Sequence, residues 1–141
     1  LGRSTPFTFR HSSIMGKLLL IGAGGFIGSV VRYLLSGYVQ QASRSIGFPW
    51  GTLAVNVLGC LVIGFLAYLA DTRGWLPDEA RAFLFVGLLG GFTTFSTFGN
   101  ESLNLLREGD NLLALANIGA HLVLGLGAVW AGRTLAYLIW R

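Results

Sequence analysis

The chain has 141 residues, of which 53% are hydrophobic and 11% charged, with a formal net charge of +4 and one cysteine. A soluble domain carries about 25% charged residues, so an ordinary soluble globular fold is excluded. Arginines scattered over segment ends argue against a nucleic-acid surface, and the lone Cys60 rules out an internal disulfide framework.

The charges cluster, leaving charge-free runs at residues 18–31, 45–70, 82–100 and 111–132. A hydrocarbon core of roughly 30 Å takes about 20 helical residues. Three of the runs span it or nearly so, and the first does once Arg32 is included. The expectation is an all-α membrane protein with four transmembrane helices.

In chain order, residues 1–14 are polar, carry Arg3, Arg10 and His11, and lack the apolar core of a signal peptide. They read as a disordered leader or extension, with Met15 as the natural start and residues 15–141 as one four-helix domain. Helix 1 is expected over residues 17–39, which places Arg32 inside a membrane span. An arginine there is costly by roughly 2.5 kcal/mol or more, so Arg32 either snorkels to lipid phosphates or faces a water-filled vestibule. The stretch from Lys17 to Gly28 imitates a strand entering a dinucleotide-binding loop. Such a loop requires an acidic residue about 20 positions on, yet the first acidic residue is Asp71. The glycines are better read as packing surfaces: Gly24 with Gly28, and Gly87 with Gly91, have the spacing that lets helix backbones approach.

Helix 2 is expected over residues 50–70, with Asn56 as its one strongly polar deep side chain. Asn56 is either interhelical glue or a ligand contact. A turn through Asp71, Gly74 and Pro77 leads to helix 3, whose start is marked by Pro77 followed by Asp78 and Glu79. Helix 3 is expected over residues 78–107 and helix 4 over most of residues 111–140. Trp50, Trp75, Trp130 and Trp140 fall mostly near helix ends, as interfacial aromatics do. Lys17, Arg73, Arg81 and Arg141 lie on one side against Arg44 and Arg107 on the other, a weak bias that does not fix orientation. Four short helices enclose little interior, so a transport path calls for more than one copy.

The most informative segment is Gly90-Gly-Phe-Thr-Thr-Phe-Ser-Thr-Phe98. Adjacent glycines make a helix break cheap, and a break at membrane depth is tolerated where the freed backbone lines a cavity or a bound ion. The expected break lies near Gly90 and Gly91, with unwound backbone from Gly90 to Thr93 offering carbonyls suited to a hard cation. Beyond it, Phe95 and Phe98 are three apart and share a helix face. Their electropositive ring edges can touch an anion without holding it tightly. Thr94, Ser96 and Thr97 add hydroxyl donors.

This segment, together with Gly51-Thr-Leu-Ala-Val-Asn-Val-Leu-Gly59 and the residue 24–33 stretch carrying Arg32, closely resembles the Fluc (CrcB) family of fluoride ion channels over residues 15–141. The resemblance implies an antiparallel, dual-topology homodimer in the bacterial plasma (inner) membrane, with two fluoride pores and third helices that break and cross at the dimer centre. It implies passive fluoride export that limits toxicity. In this sequence the aromatic box would be Phe95 and Phe98. Asn56 would donate in the pore, Ser96 and Thr97 would belong to its polar track, and Arg32 would sit in a vestibule. A structural sodium ion would be held by the backbone carbonyls of Gly90 and Thr93 from both subunits, and no organic cofactor is implied.

Helix 4 departs from the family pattern. Where a tyrosine commonly contributes to the polar track, this chain offers Asn117 and His121. The competing readings are an ion-coupled fluoride transporter, for which Glu101 is the one titratable candidate near the core, and a non-conducting assembly subunit. No metal-ligand cluster, nucleophile-base pair or paired carboxylates point to an enzyme.

Overall fold

The computed structural model describes residues 11–140, with side chains from Ile14 onward. Among the described residues every regular element is helical: α1 (His11–Ser43), α2 (Trp50–Arg73), α3 (Asp78–Arg81), a π-helical stretch (Ala82–Leu89), α4 (Gly90–Phe92), α5 (Phe95–Arg107) and α6 (Asn111–Trp140). The elements from α3 to α5 form one pass, so the chain holds four stretches long and apolar enough to cross a membrane: Ile14–Ser43, Trp50–Arg73, Asp78–Arg107 and Asn111–Trp140.

Two expectations change. Of the expected leader, residues 1–10 lie outside the described residues, while the next residues already belong to α1, whose helix begins at His11. No proline interrupts the chain between His11 and Lys17, so nothing stops the helix from extending toward its N-terminus. The second change concerns Gly90 and Gly91, which stay helical. The extended residues are Thr93 (φ −89°, ψ 157°) and Thr94 (φ −150°, ψ 106°).

The glycines are spent on packing instead. A Cβ on Gly91 would stand 2.6 Å from the carbonyl oxygen of Gly25, and one on Gly87 would stand 2.7 Å from that of Ile21. From the other side, a Cβ on Gly24 would meet Phe83 O at 2.6 Å, and one on Gly28 would collide with Leu88 O. The two glycine pairs seen in the sequence therefore face each other, and α1 lies backbone to backbone against the third pass. α2 and α6 use the same device, with Gly64 against the Val129 carbonyl and Gly132 against the Leu61 carbonyl.

The ends are set locally. Gly74 closes α2 in the left-handed region (φ 62°). After α5, Asp110 N–H donates to Leu105 O at 2.9 Å and Gly109 N–H to Leu106 O at 3.2 Å, while Gly109 takes φ 85°. That pairing is a Schellman motif. Between α1 and α2, Gln40 ties the loop down: its amide donates to Ser45 O (2.9 Å) and Phe48 O (3.1 Å), and its Oε1 accepts from Gly51 N–H (3.0 Å).

The buried core is small, made chiefly of Leu53, Val55, Leu89, Phe92, Leu105, Ala114 and Ala136. Leu, Val, Phe and Trp side chains elsewhere face outward on all four passes, as they do when lipid or another protein copy replaces water.

Candidate functional site

The site is organised by one face of α2. Thr52, Asn56 and Gly59 follow at spacings of four and three and so line up along the helix. Gly59 makes room, since a Cβ there would run into the Thr93 side chain. Asn56 then grips the next residue with both ends of its amide. Its Oδ1 accepts the Thr94 N–H at 2.8 Å, and its Nδ2 donates to the Thr94 carbonyl at 3.1 Å. This side chain does for Thr94 what a neighbouring helical turn would do, so extended backbone at membrane depth carries no unpaired group there.

Thr94 also starts α5. Its Oγ1 accepts the Thr97 N–H at 3.2 Å and donates to Thr97 Oγ1 at 2.9 Å, with Ser96 Oγ at 3.4 Å. The hydroxyls are thus drawn around one helix N-terminus, whose N–H groups and dipole favour negative charge.

These bonds have a second consequence. In a continuous helix the N–H of Thr94 would serve Gly90 O, and that of Thr97 would serve Thr93 O. Here they serve Asn56 and the Thr94 side chain. The carbonyls of Gly90 and Thr93, the two that the family resemblance implies hold a cation, are therefore released from their helical partners.

Phe95 is 83% exposed. Its ring lies 5.4 Å from that of Phe98, inclined by 58°, and Phe98 in turn stacks on His121 at 4.3 Å and 36°. Asn56, Cys60, Gly90, Thr93, Thr94, Phe95, Phe98 and His121 all line one lateral cavity of about 390 Å³. A second cavity of about 400 Å³ lies toward the α1–α2 loop and is more polar, with Gln40, Thr52, Glu101, Asn104 and Glu108 in its wall.

Most of the expected residues are brought together. Asn56, Thr94, Phe95, Phe98 and His121 share the lateral cavity with the backbone of Gly90 and Thr93, and Ser96 and Thr97 sit exposed beside it. Arg32 is half-buried on α1 and lines neither of these cavities. The helix-4 pair divides. Asn117 is fully buried, donating from Nδ2 to Ser102 Oγ at 2.9 Å, and Ser102 donates to Phe98 O at 2.8 Å. It clamps α6 to α5 behind Phe98 instead of facing the cavity.

Sequence reasoning placed Glu101 near a helix end and missed its partner. Thr52 Oγ1 donates to Glu101 Oε1 at 2.6 Å, and Oε2 is buried without a protein partner among the described residues. A signal was present: Glu101 stands three residues after Phe98 and so is its neighbour one turn further along α5.

The family described as CrcB-like protein, Camphor Resistance (CrcB), matches residues 19–133. The chain is 49% identical to a protein of Methylobacillus flagellatus over 118 residues, covering 84% of this chain and 92% of that one. Identity is 49% over 124 residues with a protein of Opitutus terrae (86% and 93% covered), and 44% over 129 residues with one of Elusimicrobium minutum (90% and 98% covered). Each of the three is named a fluoride-specific ion channel, FluC.

Proposed function

Because this chain belongs to the CrcB family, we propose that it is a multi-pass channel of the plasma (inner) membrane, not an enzyme, that lets fluoride leave the cytoplasm passively. The observation that carries the reading is the Phe95–Phe98 pair standing over the cavity floored by Asn56 and Thr94. Fluoride is small and tightly hydrated, so a pathway must replace strong water hydrogen bonds yet release the ion. Asn56 spends one amide N–H on Thr94 and retains a second. Ser96 and Thr97 offer hydroxyls, and the ring edges of Phe95 and Phe98 add a weaker attraction along the same face. Weak and strong donors in sequence let the ion step onward without a deep trap. Chloride, being larger, would be rejected mainly by width.

The working unit is an antiparallel homodimer of dual topology. Phe95 is exposed in the single chain and the cavity opens laterally, which fits completion of the pathway by a second copy. The weak cationic bias between the two sides suits insertion in either orientation. The third pass, interrupted at Thr93 and Thr94, would cross its partner at the dimer centre. There the carbonyls of Gly90 and Thr93 from both subunits would hold a sodium ion, an oxygen-only donor set appropriate to a hard cation. The ion would fix the crossing and take no part in conduction.

The test is fluoride efflux from liposomes holding the purified full chain, with potassium and valinomycin clamping the voltage and chloride as comparison. Fast electrogenic fluoride loss with negligible chloride loss is expected. Absence of fluoride efflux, or efflux that obligatorily moves protons, would overturn the channel reading.

A further inference from the structure

His121 is held by the main chain of its own helix. Its Nδ1 lies 3.0 Å from the carbonyl oxygen of Asn117. A carbonyl oxygen only accepts, so Nδ1 carries the hydrogen. In the neutral ring Nε2 is then a bare lone pair, and that atom is buried with no hydrogen-bond partner. The ring cannot readily turn over to reverse the roles. Phe98 stacks against its face at 4.3 Å, and Phe98 is itself braced by Ser102 and the fully buried Asn117. A neutral His121 therefore lines the cavity with an uncharged ring, which offers an anion no electrostatic attraction.

We propose that His121 serves fluoride only as the imidazolium, so that a proton bound at Nε2 strengthens fluoride binding in the lateral cavity. The inference rests on the channel reading above and assigns a regulation to the same site. The proton comes from bulk water, forms one N–H bond at the bare lone pair, and gives the ring that lines the cavity a positive charge. It stays on the ring while the fluoride passes. The surroundings leave the ring as the responsive group. From α2, Cys60 faces the cavity as a thiol; no lysine, arginine or carboxylate lines it among the described residues. On the third pass the nearest acid in sequence to Phe98 is Glu101, engaged by Thr52. On α6 the one charged residue is Arg133, three turns away and paired with Asp71 at 3.4 Å. Binding of proton and fluoride is then reciprocal: each raises the affinity for the other.

The experiment uses the full chain in lipid with nitrogen-15-labelled histidine, His121→Gln identifying the signal. At high pH the spectrum should show hydrogen on Nδ1 and none on Nε2. Replacing chloride by fluoride at constant ionic strength should raise the pH midpoint of His121 by about half a unit or more, a factor of about three in affinity. In liposomes, fluoride flux above the protein-free leak should rise at least about threefold from pH 8 to pH 6 in the parent chain. It should stay nearly flat in His121→Gln, whose amide carries no charge at any pH. Hydrogen on Nε2 at high pH, a midpoint indifferent to fluoride, or the same pH profile in both chains would overturn the proposal. No fluoride flux from either chain at any pH would instead overturn the channel reading, and the fluoride-dependent midpoint would still decide whether the imidazolium binds the ion.

Discussion

Asn56 holds Thr94 by both backbone polar atoms, taking its N–H at 2.8 Å and giving to its carbonyl at 3.1 Å. One side chain on α2 thereby serves both backbone groups of Thr94 where the third pass leaves the helical pattern. Asn56→Leu strips both partners from a buried backbone unit at once, each unsatisfied group costing about 1–3 kcal/mol. The variant should melt well below the parent chain in detergent and lose fluoride flux by at least tenfold. Asn56→Asp is the informative companion. It keeps the acceptor for Thr94 N–H but sets a carboxylate against Thr94 O and against the permeating anion, so flux should fall even where folding survives. Parent-like flux in both variants would detach Asn56 from the pathway.

The aromatic pair makes a separable claim. Phe95 is exposed and touches Phe98 across 5.4 Å, so Phe95→Ile removes a ring edge with little loss of buried contact. Its fluoride flux should vanish while size-exclusion profile and melting temperature hold. Phe98→Ile should also abolish flux, but with some loss of stability, because Phe98 stacks on His121 as well. Wild-type flux in both would end the aromatic-box assignment.

Much of this was open to the sequence, and where it was not the reason is physical. Charge-free length located all four passes, and the spacing of Gly24 with Gly28 and Gly87 with Gly91 foretold which helix surfaces meet. Adjacent glycines were misleading about the break. A glycine pair lowers the cost of both a kink and a close approach, and only the neighbouring backbone of Gly25 decides between them. The break sits where a partner exists to satisfy it, and that partner, Asn56, is 38 residues away in sequence. The π-helical register of Ala82–Leu89 had no local signature either. His121 could be named as a polar candidate, but which ring nitrogen carries the hydrogen depends on a main-chain bond that spacing alone does not reveal.

Close approach of backbones can be tested directly. A methyl on Gly28 would strike the Leu88 carbonyl, whereas Gly22 has open space around its Cβ position. Overpacking of this kind costs about 1–3 kcal/mol, and rigid backbone on both sides gives it little room to relax. Gly28→Ala should therefore lower the melting temperature by several degrees and Gly22→Ala should leave it unchanged or slightly raised, since alanine favours helix by about 1 kcal/mol. Equal effects of the two substitutions would mean that α1 does not pack against the third pass in this register.

The freed carbonyls lead to the last prediction. Gly90 O and Thr93 O lose their helical donors to Asn56 and to the Thr94 hydroxyl. Carbonyls without partners are costly once a second copy covers them, and a sodium ion shared between the two copies would repay both sets together. Because the ligands are main-chain atoms, no side-chain substitution deletes them, so the cation itself must be varied. Exchange of sodium for N-methylglucamine should lower the melting temperature of the purified assembly and shift it toward single chains. Restoring sodium should reverse both effects in a saturable manner, with lithium and potassium less effective because their ionic radii differ. Flux should follow the fraction assembled. Stability and assembly unaffected by sodium, in protein shown by elemental analysis to have lost it, would remove the cation from the dimer centre and leave those carbonyls to water.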